Sequence, residues 1–277
     1  MHKEKSKVKA SVLEKDKITF SFGENWQAFN ERLFKTRTQQ EAIELAVKDI
    51  EKWLGRDGVA GRTVLDIGCG TGLHSLAFLL LGATRVLSID VDVHSIAATK
   101  FFCREFGTPA NWEIKQGSIL NENFIFNLGR FDIVYAWGVL HHTGAMWNAL
   151  DNCTKLIADN GKLWLSLYTA GPNYASHLAL KRRYNAANDL QKRLMVARII
   201  ARRMLNRALS GRNPFTWNEK KARGMNSYHD LLDWLGGLPY EVASKKEVEA
   251  FCRKHGLRLV RDEPRGEGAC SIYLFSR

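Results

Sequence analysis

Apolar and polar positions change their period several times along this chain. Between 38 and 54, apolar side chains recur at Ala42, Leu45, Ala46, Ile50 and Trp53, the spacing of one helix face, and Gly55 stops the run. The continuous apolar stretch Val64-Leu65-Asp66-Ile67 then breaks into Gly68-Cys69-Gly70-Thr71-Gly72 and resumes as an apolar helical segment over 73–81. Further strand-like runs follow at 86–90, 131–137 and 161–168. Strands and helices alternate as far as Tyr168, the pattern of a parallel α/β sheet.

Beyond Tyr168 the regularity breaks. Gly171-Pro172 is a turn, and the pattern returns only at Ser244, where Ser244-Lys245-Lys246-Glu247 reads as a capping box. That box opens a helix running to about His255 and ended by Gly256. The segment between is expected to be helical from about Tyr174 to Leu209, followed by an aromatic-rich loop with Trp217, Tyr228, Trp234 and Tyr240. Within it Leu190, Leu194, Ala197, Ala201, Met204 and Ala208 share one helical stripe with arginines around the rest, and a face turned to the core is one reading of it. The chain thus divides into a basic, patternless tail (1–17), expected to be disordered, and an N-terminal lid and helix (18–57). A core (58–170), a basic helical cap (171–243) and a C-terminal helix with strands completing the core (244–277) follow.

The glycine turn carries the first chemistry. A buried strand breaking at Gly68, Gly70 and Gly72 lets backbone approach a ligand closely, and the following helix aims its amide-rich N-terminus at the same point. Asp90 ends the neighbouring strand, where a carboxylate meets a ribose diol. A dinucleotide fingerprint needs Gly-x-Gly-x-x-Gly/Ala, but its third slot falls on Leu73. Asp66 at the mouth of the turn repels a pyrophosphate and suits the ammonium of a methionine moiety. These features favour S-adenosylmethionine (SAM).

With Asp66-Ile67-Gly68-Cys69-Gly70-Thr71-Gly72, Asp90, Gly117-Ser118-Ile119, the run 131–142 and the strand 161–168, the chain resembles the class I SAM-dependent methyltransferases. The resemblance covers roughly residues 60 to 170. It implies a Rossmann-like, mostly parallel seven-stranded α/β sheet with helices on both faces and a closing antiparallel hairpin from 257–260 and 271–275. It places the helical basic cap after the fifth strand. It also implies that Asp66, Gly68, Cys69, Gly70, Gly72, Asp90, Ser118, Ile119 and Trp137 surround SAM, with S-adenosylhomocysteine as product. Ser118 departs from the family, which usually has an acid where adenine is read.

Methyl transfer asks an enzyme to align donor and acceptor, exclude water and remove the acceptor's proton. His141 and His142 follow the fourth strand. The resemblance makes His142 the candidate base, with His141 as second choice or orienting residue; capping of the turn is the structural alternative. Trp26, Tyr168, Trp234 and Tyr240 are candidates for the lid and acceptor pocket, Trp26 together with Phe20 and Phe22. His74, just inside the first core helix, is expected to pack or meet solvent. The Asn/Asp-Pro-Pro-Tyr/Phe motif of base-amine methylases and the Pro-Cys pair of the cytosine-C5 route are both missing. The strand ends show no acidic and amide cluster for magnesium, so no metal is expected.

Charge and cysteines then narrow the setting. From Lys181 to Arg223 there are thirteen Lys and Arg against Asp189 and Glu219, a surplus of +11 out of a formal +12. Four readings of that segment stay open. They are a cap helix with solvated arginines, a surface for an anionic membrane or lipid-linked acceptor, an RNA clamp, and a site for a small anionic acceptor. Five scattered cysteines and the absence of an apolar leader point to reduced thiols and a cytoplasmic setting. No run is long enough to span a membrane. The leading expectation is metal-independent methylation of an O or N on a small-molecule or lipid-/sugar-linked metabolite. An RNA methyltransferase and a non-catalytic SAM-binding scaffold are the alternatives, and the oligomeric state is not readable from the sequence.

Overall fold

The computed structural model describes residues 38–218 and 227–277, with Gly23, Trp26, Asn30 and Glu31; the side chains of residues 217, 218 and 229 are outside the description. The expected tail and the lid residues Phe20 and Phe22 lie outside the described residues, as does the side chain of Trp217. A seven-stranded sheet forms the centre: β1 (Thr63–Ile67), β2 (Arg85–Asp90), β3 (Trp112–Gln116), β4 (Phe131–Trp137), β5 (Ile157–Tyr168), β6 (Arg258–Glu263) and β7 (Cys270–Ser276). Their order is β3-β2-β1-β4-β5-β7-β6. The first five are parallel, and β7 is antiparallel to both β5 and β6. The expected closing hairpin is therefore present, with β7 inserted beside β5.

Period-two alternation on these strands builds two cores. Leu65, Leu87, Val134, Leu163 and Leu165 point to one face, where they meet Leu150 and Cys153 of α5 (Met146–Lys155) and Val248 and Cys252 of α9 (Lys245–Lys254). Val64, Val86, Ile133, Tyr135 and Trp164 point to the other. There they meet Ile50 and Trp53 of α1 (Gln39–Leu54), Phe78 of α2 (Leu73–Leu80) and Phe102 of α3 (Val93–Glu105). The Ser244 capping box forms as its sequence predicts: Ser244 Oγ accepts from the Glu247 amide while Glu247 accepts from the Ser244 amide. The short helix α4 (Glu122–Phe126) lies between β3 and β4.

The segment after β5 is helical from Tyr174 to Leu209 as expected, and it corrects two further expectations. It holds two helices, α6 (Tyr174–Ala186) and α7 (Asp189–Leu209), because Asn188 and Gln191 form a capping box that starts a new helix. The expected aromatic loop contains a third, α8 (Ser227–Gly236), which carries Tyr228 and Trp234. The stripe of α7 faces outward, against the core reading: Leu190 and Leu194 are exposed, as are Ala197, Ala201 and Ala208. Met195, Val196, Ile199 and Ile200 pack instead against Tyr184, Leu231 and Leu235. These belong to α6 and α8, partners the sequence of α7 alone does not reveal. Among the described residues no helix is long and apolar enough to cross a membrane.

Candidate functional site

At the carboxyl end of β1 the chain turns through Gly68, Gly70 and Gly72, all with φ between 55° and 81°. A Cβ on Gly68 would lie 2.3 Å from Val139 Cγ2, so the Val139 side chain from the loop after β4 packs directly on the bare backbone of the turn. Gly72 sits at the N-cap of α2. Asp66 is buried and accepts from Ser75 Oγ at 2.5 Å. Ser75 Oγ lies 2.6 Å from Ser88 Oγ, which accepts from Trp112 Nε1 at 2.8 Å. Ser75 has one proton and gives it to Asp66, so Ser88 donates to Ser75 and the relay runs from Trp112 to the carboxylate. It aims Asp66 from behind.

Asp90, half-buried at the end of β2, accepts from the amides of Gly70 (3.2 Å) and Asp92 (2.9 Å). Burial raises its carboxyl above the usual range, against the lowering effect of those amides. Cys69 faces Thr99 Oγ1 at 3.2 Å; burial, then Asp90 and Asp66, push its thiol well up. Trp26 hangs over this turn: a Cβ on Gly70 would lie 3.1 Å from Trp26 Nε1. Gly23 donates its amide to Asp92 Oδ2 (2.8 Å) and Asn30 bonds the Ala98 carbonyl (3.2 Å), which ties this part of the chain to α3.

One cleft of about 1270 Å³ joins these groups to the end of β4 and to the post-β5 helices. Its wall includes Trp26, Asp66, Gly68, Cys69, Gly70, Asp90, Ser118, Ile119, Trp137, His141, His142, Tyr168 and Trp234. Two expected residues stand outside it. Gly72 caps α2, and Tyr240 is a buried support, its ring 5.2 Å from Tyr168 and stacked 5.5 Å from Tyr174.

The two histidines form a 3-10 turn after β4 (Leu140–His142). His142 Nδ1 lies 2.8 Å from the Pro239 carbonyl oxygen, which can only accept. Nδ1 therefore carries the proton and Nε2 is the basic nitrogen. Burial, then the ammonium of Lys181, hold His142 down at about 3, so the ring is neutral. His141 packs 4.4 Å from His142 and 4.0 Å from Tyr168, and burial pulls it well below the ordinary histidine range. Its carbonyl accepts from the Glu241 amide (3.0 Å). The segment 234–241 thus braces the His-His turn from one side.

Sequence reasoning missed Lys181. It is fully buried in α6, with Nζ 4.5 Å from the ring centre of Tyr240, 4.6 Å from Trp234 and 5.4 Å from Tyr168. It donates to the carbonyls of Trp234 and Gly237. Burial pushes its ammonium down to about 7, against the opposing pull of Cys270 and Asp233. Within a basic segment it reads as one solvated charge among thirteen; only the aromatic residues at 234 and 240 hint at a cage. His74 does pack, stacked on Tyr135 at 5.5 Å, but it also lines the cleft, 4.0 Å from Asp49 Oδ2. That pair spans α1 and α2 and has no signal in local spacing.

Known proteins resemble this chain in sequence and in fold. Residues 65–163, from β1 into β5, match the family described as a methyltransferase domain. The ubiquinone biosynthesis O-methyltransferase of Pseudomonas paraeruginosa is 30% identical over 42% of this chain and 49% of its own length. The tRNA U34 carboxymethyltransferase of Methylococcus capsulatus is 26% identical over 66% of this chain and 58% of its own. The chain therefore spans less than two thirds of the length of these curated relatives. Magnesium protoporphyrin IX methyltransferase from Synechocystis, solved with bound S-adenosylhomocysteine, superposes with a TM-score of 0.52, covering 86% of each chain at 16% identity. The strand order, the glycine turn beside Asp90 and the domain match agree with one another: residues 65–163 carry a methyltransferase domain.

Proposed function

We propose that this chain transfers a methyl group from SAM to an oxygen or nitrogen of a small-molecule or lipid-/sugar-linked metabolite, with His142 taking the acceptor's proton. The supporting observation is the continuity of one cleft from the glycine turn, past Trp137, to His142. The site fits SAM: the glycine turn lines the cleft, Asp66 is aimed for an ammonium, and Asp90 stands at the strand end suited to a ribose diol. Ser118 and Ile119 take the adenine side, and the backbone at Trp137 the methionine end.

SAM supplies a methyl carbon made electrophilic by its sulfonium. Trp137 and Tyr168 line the cleft near His142 and would exclude water from that carbon, and the cleft walls would line up the acceptor's lone pair behind it. As the new C–O or C–N bond forms and the C–S bond breaks, His142 Nε2 accepts the acceptor's proton while Pro239 retains Nδ1–H. Positive charge passes from sulfur to the imidazole, so the step leaves net charge unchanged. A base held at about 3 is weak but wholly in its base form at neutral pH.

A second reading, methylation of RNA, draws support from the tRNA-modifying relative and the exposed Arg193, Arg198, Arg202 and Arg203. Incubation with methyl-labelled SAM and cell extract separates the two. Label is expected in the organic-soluble or small aqueous fraction; label removed by RNase would install the second reading. His142→Ala is expected to keep SAM affinity and lower turnover by at least about tenfold. Unchanged turnover would remove His142 as base.

A further inference from the structure

The geometry points to the outward face of α7 as a docking surface for an anionic lipid membrane. Leu190, Leu194, Ala197, Ala201, Leu205 and Ala208 fall on one stripe running nearly the whole 21-residue helix, about 30 Å. The stripe looks away from the protein: Leu190 is 67% exposed, Leu194 50% and Leu205 58%. Leu209 at the helix end and Phe215 beyond it are also apolar and exposed, each 78%. Helices of globular proteins normally put such a stripe inward and charge outward. Here a different face, Val196 with Met195, Ile199 and Ile200, already serves the protein's own packing.

Charge identifies the occupant. Arg198 and Arg202 border the stripe on one side and Arg193 on the other, all exposed. No Asp or Glu occurs from Leu190 to Asn218, while seven Lys and Arg do. Apolar side chains flanked by arginines match the interfacial zone of a bilayer, where the former enter the acyl boundary and the latter meet phosphates. A second copy docking on the same face would bring like charges together. RNA would engage the arginines but leave the leucines in water. The helix has too many charges to cross the bilayer and would lie along it. Arg202, Arg203 and Asn206 of this helix also line the cleft, which brings the cleft close to the lipid surface.

Vesicle binding tests this without SAM or acceptor, so its result is independent of the proposed methyl transfer. The whole chain is sedimented with phosphatidylcholine vesicles with and without about 25 mol % phosphatidylglycerol. Binding is expected to the anionic vesicles, about tenfold weaker to the neutral ones, and about tenfold weaker again in the Leu194→Gln/Leu205→Gln variant. Both side chains are exposed, so an unchanged melting temperature verifies the variant's fold. Failure to bind anionic vesicles, or equal binding by the variant, overturns the proposal. So does a leucine-dependent dimer in sedimentation equilibrium without vesicle binding, or binding to an RNA homopolymer in place of vesicles.

Discussion

The Nζ of Lys181 lies 4.5 Å from the ring centre of Tyr240, inside a cage that Trp234 and Tyr168 complete. The fold thus holds an ammonium against aromatic faces and two carbonyl oxygens. In the folded chain this amine titrates at about 7, against an ordinary 10.5. Above pH 7 the folded state releases a proton that the unfolded state keeps, so stability attributable to Lys181 rises with pH through that window. Its limiting slope is about 1.4 kcal/mol per pH unit. Denaturant titrations between about pH 7 and 8, below the ordinary range of thiols, should show this rise in the wild type and lose it in Lys181→Met.

The same titration bears on catalysis. The Lys181 ammonium depresses His142, so its deprotonation strengthens His142 as a base. Turnover is expected to climb between about pH 6 and 8 and to be flatter in Lys181→Met, with SAM affinity unaffected. A pH–rate profile at saturating SAM reads this directly.

At lower pH the histidines dominate. His141 and His142 are neutral when folded and titrate below their ordinary 6.5, His142 at about 3. The unfolded chain binds protons first, so stability falls as pH drops from 6.5 toward 3. His142→Asn should reduce that slope by up to about 1.4 kcal/mol per pH unit, read as the difference between variant and wild-type unfolding curves.

Gly237 leaves His142 its room. A Cβ there would lie 2.5 Å from His142 Cε1 and 2.9 Å from the Asp233 carbonyl. Gly237→Ala is expected to turn the imidazole away and lower kcat by at least about tenfold while SAM affinity changes less than about twofold. Single-turnover kinetics beside calorimetric SAM binding separates the two effects.

Trp26 closes the other end. With its indole over Gly70, Trp26→Ala is expected to weaken SAM binding by about tenfold, near 1.4 kcal/mol. Calorimetric titration with SAM checks it.

Much of this was legible in the sequence because local rules and packing coincide there. Buried parallel strands must read as apolar runs, and the turn after β1 needs backbone that only glycine supplies freely, so sheet, turn and Asp90 announce themselves. The region after β5 was harder. The stripe on α7 has helical period, but period cannot tell which of two apolar faces a protein will use. Tyr184, Leu231 and Leu235 decide that from helices on either side. Lys181 was illegible for a related reason: its cage closes between residues about sixty positions apart. Tyr240 was expected in the cleft wall, and its place behind Tyr168 follows from the same cage.

The placement of β7 also governs how the chain is made. β5 pairs on one side with β4, already synthesised, and on the other with β7, whose Ser271 stands 102 residues beyond Thr169 at the end of β5. At translation rates of about 5–20 residues per second, that edge waits about 5–20 seconds for its partner. Leu163, Trp164, Leu165 and Leu167 sit on the waiting strand, a stretch able to pair with a neighbouring nascent chain. The helices after β5 emerge during that interval, before the sheet is complete. A ribosome pausing within them would lengthen the hazard, and a chaperone holding β5 until β7 arrives would remove it.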